Sequence, residues 1–266
     1  MNLQDVICLG VAGNFAHHLE QAGELKDFKD VVTSEKHEPK GIFPFYLPKS
    51  KCFLGLYSIG TTKLQLPDYE ANVQVEPEIA VLFDIVYDVD MNVLDLKAEK
   101  FTTFNDCTVR KEGAKKISEK KSWGKNSKGI GDKWIPIDRF EEGGVMDNYH
   151  LCSFVRRDGI MHTYGVDAPL LGYSYFYKKL KNWLINKMNT QKDLGPLENI
   201  AAYLKTCNYP SKTLIAIGAT AYAEFGEYNY LKSGDEVYVV AYNKHRDDAD
   251  LTASSSKVIL HQKVQF

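Results

Sequence analysis

The stretch VQVEPEIAVLFDIV, residues 73–86, constrains this chain more than any other, and residues 73–88 read as one long strand. Its second half, IAVLFDIV, is almost wholly apolar and reads as a strand buried on both faces, which calls for a sheet covered on both sides. Its entrance carries two carboxylates, Glu76 and Glu78, with Pro77 between them. Side chains two apart on a strand point the same way, so the two acids share a face. Like charges so placed repel unless water screens them or a cation sits between them. Pro77 has no N–H, so this strand end is not expected to be fully paired in a sheet centre. Two readings stay open: an exposed strand entrance with solvated carboxylates, or a sheet rim that holds a hard divalent cation.

Strand patterns dominate the remainder. They occur at ICLGV near the N-terminus, in short pieces between 41 and 61 broken by Pro44 and Pro48, and at KFTTFNDCTVR, WIPI, HLCSFVRR, IMHTYGV, TLIAIG, SGDEVYVVAY and KVILHQKVQF. Arg157-Asp158-Gly159 joins two of them with a hairpin signature. Helices are expected from near Asn14, over 93–100, over 173–190 and over 196–206. In the third, Phe176, Leu180, Trp183, Leu184 and Met188 recur at helical spacing. The segment from Lys111 to Lys133 holds eight lysines and reads as a solvated helix or mobile loop. No stretch resembles a linker, so the expectation is one β-rich α+β domain over residues 1–266, with 1–70 packed on the rest.

A net charge of −2, from 33 basic and 35 acidic residues, gives no general field for nucleic acid or an anionic membrane. The opening MNLQDVICLGVAG lacks a basic start, so no signal peptide is expected, and no apolar run reaches the ~20 residues of a membrane helix. Cys8, Cys52, Cys107, Cys152 and Cys207 are scattered without a CxxC pair, which fits free thiols in a reducing cytoplasm.

A cation at Glu76 and Glu78 needs a third ligand, and Asp106 in FTTFNDCTVR is the best candidate, sharing its face with Thr108 and Arg110. The competing reading is a turn aspartate after Asn105. Cys107 faces away and reads as core. His17 and His18 open a helix after a strand, where one could act as a general base or both could simply cap it. GVAGN lacks the third glycine and the βαβ frame of a dinucleotide site.

Taken in order, four segments resemble the fumarylacetoacetate hydrolase superfamily. ICLGVAGNFAHHLEQAG is similar to its opening strand, glycine and Asn-Tyr-x-x-His helix; VEPEIAVLF to its Glu-x-Glu-Leu strand; NDCTVR to its Asp-x-Thr-x-Arg segment; and SWGKNSKGIGDKWIPI to its Trp…Lys-Ser/Gly-Phe stretch. FVRRDGIMHTYG and IAIGAT followed by SGDEV are weaker echoes. The resemblance implies a mixed β-roll with short peripheral helices, commonly a homodimer, that holds Mg²⁺ or Mn²⁺ on Glu76, Glu78 and Asp106. It implies action on small anionic 2-oxo or 1,3-dicarbonyl acids through an enolate, by C–C hydrolysis, decarboxylation or isomerisation. Lys128 would steady developing negative charge, His18 would activate water, Asn14, Arg110 and Thr220 would meet substrate, and the lysine segment would be a lid. The chain departs from the pattern where a glutamate is expected three residues after the histidine. Gln21 stands there, with Glu20 one residue earlier, and His17 with Glu20 has the same spacing. The leading expectation is a metal-dependent enzyme. A protein of this fold that binds metal and metabolite without turnover is the alternative, and a polyanion-binding protein using the lysine segment is a lesser one. That segment also contains Glu112, Glu119 and Asp132.

Overall fold

The computed structural model describes residues 2–266 apart from 16, 17, 24, 30 and 112. Among the described residues, strands run at β1 (Ile7–Ala12), β2 (Gly41–Tyr46), β3 (Ile59–Gly60), β4 (Lys63–Gln65), β5 (Val73–Gln74), β6 (Pro77–Tyr87), β7 (Val93–Asn105), β8 (Thr108–Val109), β9 (Lys128–Ile130), β10 (Ile135–Pro136), β11 (Tyr149–Arg157), β12 (Ile160–Pro169), β13 (Lys212–Ala216), β14 (Glu236–Asn243) and β15 (Lys257–Gln265). The helices are α1 (His18–Gln21), α2 (Ser118–Lys121), α3 (Tyr177–Thr190), α4 (Ile200–Thr206) and α5 (Glu224–Tyr228).

A mixed sheet runs β2-β1-β13-β6-β7-β9-β3, with β10 on β7; a second sheet runs β12-β11-β14-β15-β4; and β5 pairs β8 separately. The main core lies between the two large sheets. Ile79, Val81, Phe83 and Ile85 of β6 share it with Val155 of β11 and Val237 and Val239 of β14. The other face of the mixed sheet is covered too. Ala80 and Leu82 pack with Phe43, Phe45, Phe104 and Leu214 in a second cluster. The near-continuous apolar run of β6 is thus explained, because each alternating set meets its own core. Glu78 has the parity of Ala80 and Leu82 and therefore opens onto the second cluster.

β6 begins where β7 ends, Pro77 opposite Asn105, and its Ala80 lies opposite Ala216 near the end of β13. Gly10 of β1 lies beside Ala216 in a parallel pair. The start of β6 and the ends of β1, β7 and β13 therefore converge at one end of the sheet's central strands, and the segments leaving them carry His18, Asp106 and Gly218.

The hairpin at Asp158-Gly159 has both residues at positive φ, 51° and 80°, the twist that matches the flanking strands. Helices α3 and α4 form where the apolar spacing predicts them, though they start at Tyr177 and Ile200 rather than 173 and 196. Four expectations need correction. Residues 93–100 are strand, not helix. Leu, Lys, Ala and Glu favour helix by only a few tenths of a kcal/mol each, and the ladder along β6 outweighs that preference. The span 73–88 is not one strand, since the chain leaves β5 after Gln74 and enters β6 at Pro77. Pro44 does not break β2; it lies opposite Leu9 at a register shift in an edge strand, where the missing N–H is tolerated. The lysine segment is not a solvated tract, because Lys120, Lys121 and Lys128 are all buried.

Candidate metal centre

Glu76 occupies the step between β5 and β6, and its carbonyl accepts from the Asp106 N–H at 2.9 Å, which ties the two acid-bearing turns together. Glu78 follows inside β6. Asp106 leaves the end of β7, with its carbonyl accepting from the Thr108 hydroxyl at 3.1 Å. The three carboxylates offer ligand atoms that lie within 4.8 Å of one another, and all three residues are buried. The third acid named in the sequence, Asp106, thus lies beside the other two. Cys107 packs into the main core, its thiol on the Gln74 carbonyl at 3.1 Å.

Cations surround the acids. Lys121 Nζ is 2.5 Å from both Glu76 Oε2 and Asp106 Oδ2, Lys128 Nζ is 2.9 Å from Asp106 Oδ1, and Arg110 Nη2 is 3.0 Å from Glu76 Oε1. Lys128 also donates to the Cys107 carbonyl at 2.6 Å and lies over the Trp123 ring. Arg110 is braced by Gln74 Oε1 at 2.6 Å and the Tyr222 hydroxyl at 2.7 Å. Even so, Glu76 Oε1 and both Asp106 carboxylate oxygens have no hydrogen-bond partner of proper geometry, so charge holds them rather than directed bonds.

The acids respond unequally. Burial raises the Glu78 carboxyl well above its ordinary range, with Asp106 and Glu76 adding to the rise while Lys121 opposes it. Glu76 suffers the same burial, yet Lys121 and Arg110 hold it well below that range. Burial also lowers the Lys128 ammonium, against the pull of Asp106. A buried, crowded triad of carboxylates, three of whose oxygens lack a directed hydrogen bond, is a donor set that fits a hard dication such as Mg²⁺ or Mn²⁺.

His18 is buried, with Nδ1 3.0 Å from the Thr220 carbonyl and Nε2 3.7 Å from Glu76 Oε2. A carbonyl can only accept, so Nδ1 carries a proton and Nε2 is the ring nitrogen turned toward Glu76. Glu20 is exposed, and residues two apart on a helix do not face each other, so α1 does not carry Glu20 to the His18 face. His17 lies outside the described residues. Gln21 clamps the Tyr222 backbone, accepting from its N–H at 2.9 Å and donating to its carbonyl at 3.2 Å. Asn14 uses both amide hydrogens on the Tyr175 and Ile217 carbonyls, at 2.9 and 2.8 Å, and accepts from the Tyr175 N–H. It staples the loop after β13, where Gly218 donates to Glu78 Oε2 at 2.8 Å. Gly218 has φ 114°, and an added Cβ would stand 2.8 Å from the Asn14 Cβ, so glycine is required there. Thr220 reaches Pro77 through its N–H at 3.2 Å, while its buried hydroxyl is unpartnered.

Lys121 is the member that sequence reasoning missed. It belongs to α2, fastened by Ser118 donating to Glu198 Oε1 at 2.9 Å. Burial pushes the Glu198 carboxyl up to about 7, so the folded protein keeps a proton that the unfolded chain has lost. Stability from this group is complete below about pH 4.5 and is lost as pH rises through 7. Glu198→Gln should flatten that slope. In urea titrations its unfolding free energy should match the parent's near pH 4 and exceed it by on the order of 3 kcal/mol at pH 8; parallel curves would show that Glu198 ionises freely.

The fold with this carboxylate cluster at its sheet edge is of the fumarylacetoacetate hydrolase type. A fumarylacetoacetate hydrolase family assignment from Yersinia pestis CO92 aligns over 97% of this chain and 93% of its own, with TM-score 0.53 and 13% identity. A 5-carboxymethyl-2-hydroxymuconate delta-isomerase from Mycobacterium smegmatis aligns over 97% and 78%, with TM-score 0.53 and 16% identity. A 2-hydroxyhepta-2,4-diene-1,7-dioate isomerase from Mycobacterium marinum aligns over 97% and 74%, with TM-score 0.53 and 15% identity. By sequence, the chain belongs to the family of unknown function DUF5718, whose profile matches residues 24–263. No curated protein sequence matches it. Among the described residues, no helix is long and apolar enough to cross a membrane.

Proposed function

We propose that this protein is a divalent-metal-dependent enzyme that acts on a small 2-oxo or 1,3-dicarbonyl acid through an enolate, by C–C hydrolysis, decarboxylation or isomerisation. The observation that carries this reading is the buried meeting of Glu76, Glu78 and Asp106, with ligand atoms within 4.8 Å of one another. These three residues would hold Mg²⁺ or Mn²⁺, and the ion, when bound, supplies Lewis-acid polarisation of a substrate carbonyl. His18 Nε2 is placed to take a proton, its tautomer set by Thr220. Lys128 and Arg110 favour negative charge on the bound acid. The exposed Glu20 would serve as partner to His18 only if α1 turns, and Asn14 would act on substrate through the loop that it staples. Beside the centre, Lys26, Asp27, Asn72, Arg110, Lys111, Lys120 and Tyr230 line an open cleft of about 230 Å³, a place for the far end of an anionic substrate. Two proteins with this fold are named as isomerases, one of 5-carboxymethyl-2-hydroxymuconate and one of 2-hydroxyhepta-2,4-diene-1,7-dioate. The reading includes a cytoplasmic homodimer.

A second reading, binding without turnover, is favoured by one observation. The cavity against Glu76, Glu78, His18 and Lys121 measures only about 20 Å³, room for a water molecule, and Gln21 is committed to the Tyr222 backbone. A cavity of that size does not hold a dicarbonyl acid without a rearrangement of its walls.

Titration with millimolar Mn²⁺, followed by calorimetry and by the electron-spin resonance of the free ion, should show one site that is lost in Glu78→Gln and Asp106→Asn. Absence of that site in the parent would remove the metal-dependent reading. Mn²⁺ binding without turnover of acylpyruvates, oxaloacetate or hydroxymuconate-type acids would select the second reading.

A further inference from the structure

The Lys121 ammonium lies 2.5 Å from Glu76 Oε2 and 2.5 Å from Asp106 Oδ2, two of the three carboxylates in the cluster. A dication held by Glu76, Glu78 and Asp106 would compete with the ammonium for these carboxylates. The side chain is 5% exposed, so neither water nor salt screens the conflict.

The ammonium is also tethered. Lys121 ends α2, which Ser118 anchors to Glu198, and the next residue, Ser122, donates to the Phe45 carbonyl at 2.9 Å. The backbone is thus held from both sides, while the four-carbon side chain can rotate past the Phe43 ring, 5.3 Å from its nitrogen. Glu76 and Asp106 already meet cationic side chains without a dication: Lys121 contacts both, Arg110 pairs Glu76 and Lys128 pairs Asp106.

We propose that Lys121 is a built-in cation that bridges Glu76 and Asp106 in the ion-free site, and that a divalent ion binds only by displacing it. Lys121 is then neither a ligand nor a catalytic residue; it is a positioning residue that sets how readily the site loads. This rests on the metal reading above, but its test separates the two.

Mn²⁺ affinity should be compared in the parent and in Lys121→Met, with folding of the variant checked by thermal melting. The expected result is affinity at least tenfold tighter in Lys121→Met than in the parent. A parent crystal soaked with Mn²⁺ should show anomalous density between the carboxylates, with the Lys121 nitrogen moved out of contact with Glu76 and Asp106. That crystal decides the matter if the variant does not fold. Equal affinity in both proteins, or Mn²⁺ density with the nitrogen still bridging, overturns the displacement proposal and leaves the metal site standing. If neither protein binds Mn²⁺, both fall together.

Discussion

Replacing Asp106 with alanine should lower the unfolding free energy by about 3–5 kcal/mol, the usual cost of stranding buried charge. Asp106 is fully buried between two ammonium groups, Lys121 at 2.5 Å and Lys128 at 2.9 Å, which are themselves 5% and 0% exposed. Without the carboxylate, these cations keep their desolvation cost and lose their nearest counter-charge. Lys128 is already pushed down by burial, so it can relieve the strain by releasing its proton. The deficit should therefore shrink as pH rises and deepen as pH falls. The double variant Asp106→Leu with Lys128→Met should recover much of the loss, because an apolar pair of similar volume is often as stable as a buried ion pair. Denaturant titrations of the three proteins at pH 6 and pH 9 would measure this. A deficit below about 1 kcal/mol would mean that water reaches Asp106 freely.

Phe104→Ala should be comparably damaging for a different reason. Phe104 is fully buried on β7, opposite Glu78, and its ring packs at a tilt against Phe45, centroids 5.1 Å apart. Deleting a ring there removes apolar burial and leaves a cavity that strands on both sides prevent from collapsing, at a cost of about 3–5 kcal/mol. For a chain of this size, that corresponds to a fall in melting temperature on the order of 10 °C. The cavity also lies opposite Glu78, so ion affinity should fall with stability, whereas a peripheral change of equal thermal cost such as Leu204→Ala should spare it. Equal ion affinity in both variants would show that the site does not depend on this packing.

Much of the centre was legible because its chemistry is local. Glu76 and Glu78 stand out against an apolar strand, and Asp106 interrupts another. Lys121 was not, since among eight lysines nothing in composition distinguishes the one that folds inward. The signal lies in α2, a four-residue helix that takes its place from Glu198 and Phe45 rather than from its own propensity. Residues 93–100 misled in the opposite sense, because their helix-forming side chains coat a strand whose partner alone decides its conformation. Asn14 and Gln21 attract notice as polar groups next to a candidate site. In the fold, both are bound to backbone, a commitment that only tertiary structure discloses.

The pairing of β1 with β13 has a consequence for synthesis. Ile7 and Thr213, partners in that pair, are 206 residues apart in the chain. At translation rates of about 5–20 residues per second, β1 waits roughly 10–40 s for its neighbour to be made. Meanwhile it can form only its antiparallel pair with β2, leaving one edge of an apolar ribbon open. The carboxylate cluster cannot be assembled in that interval either, because Gly218, which donates to Glu78, arrives with β13. This protein therefore acquires its centre in a single late step, and chaperone demand should fall on the nascent N-terminal ribbon.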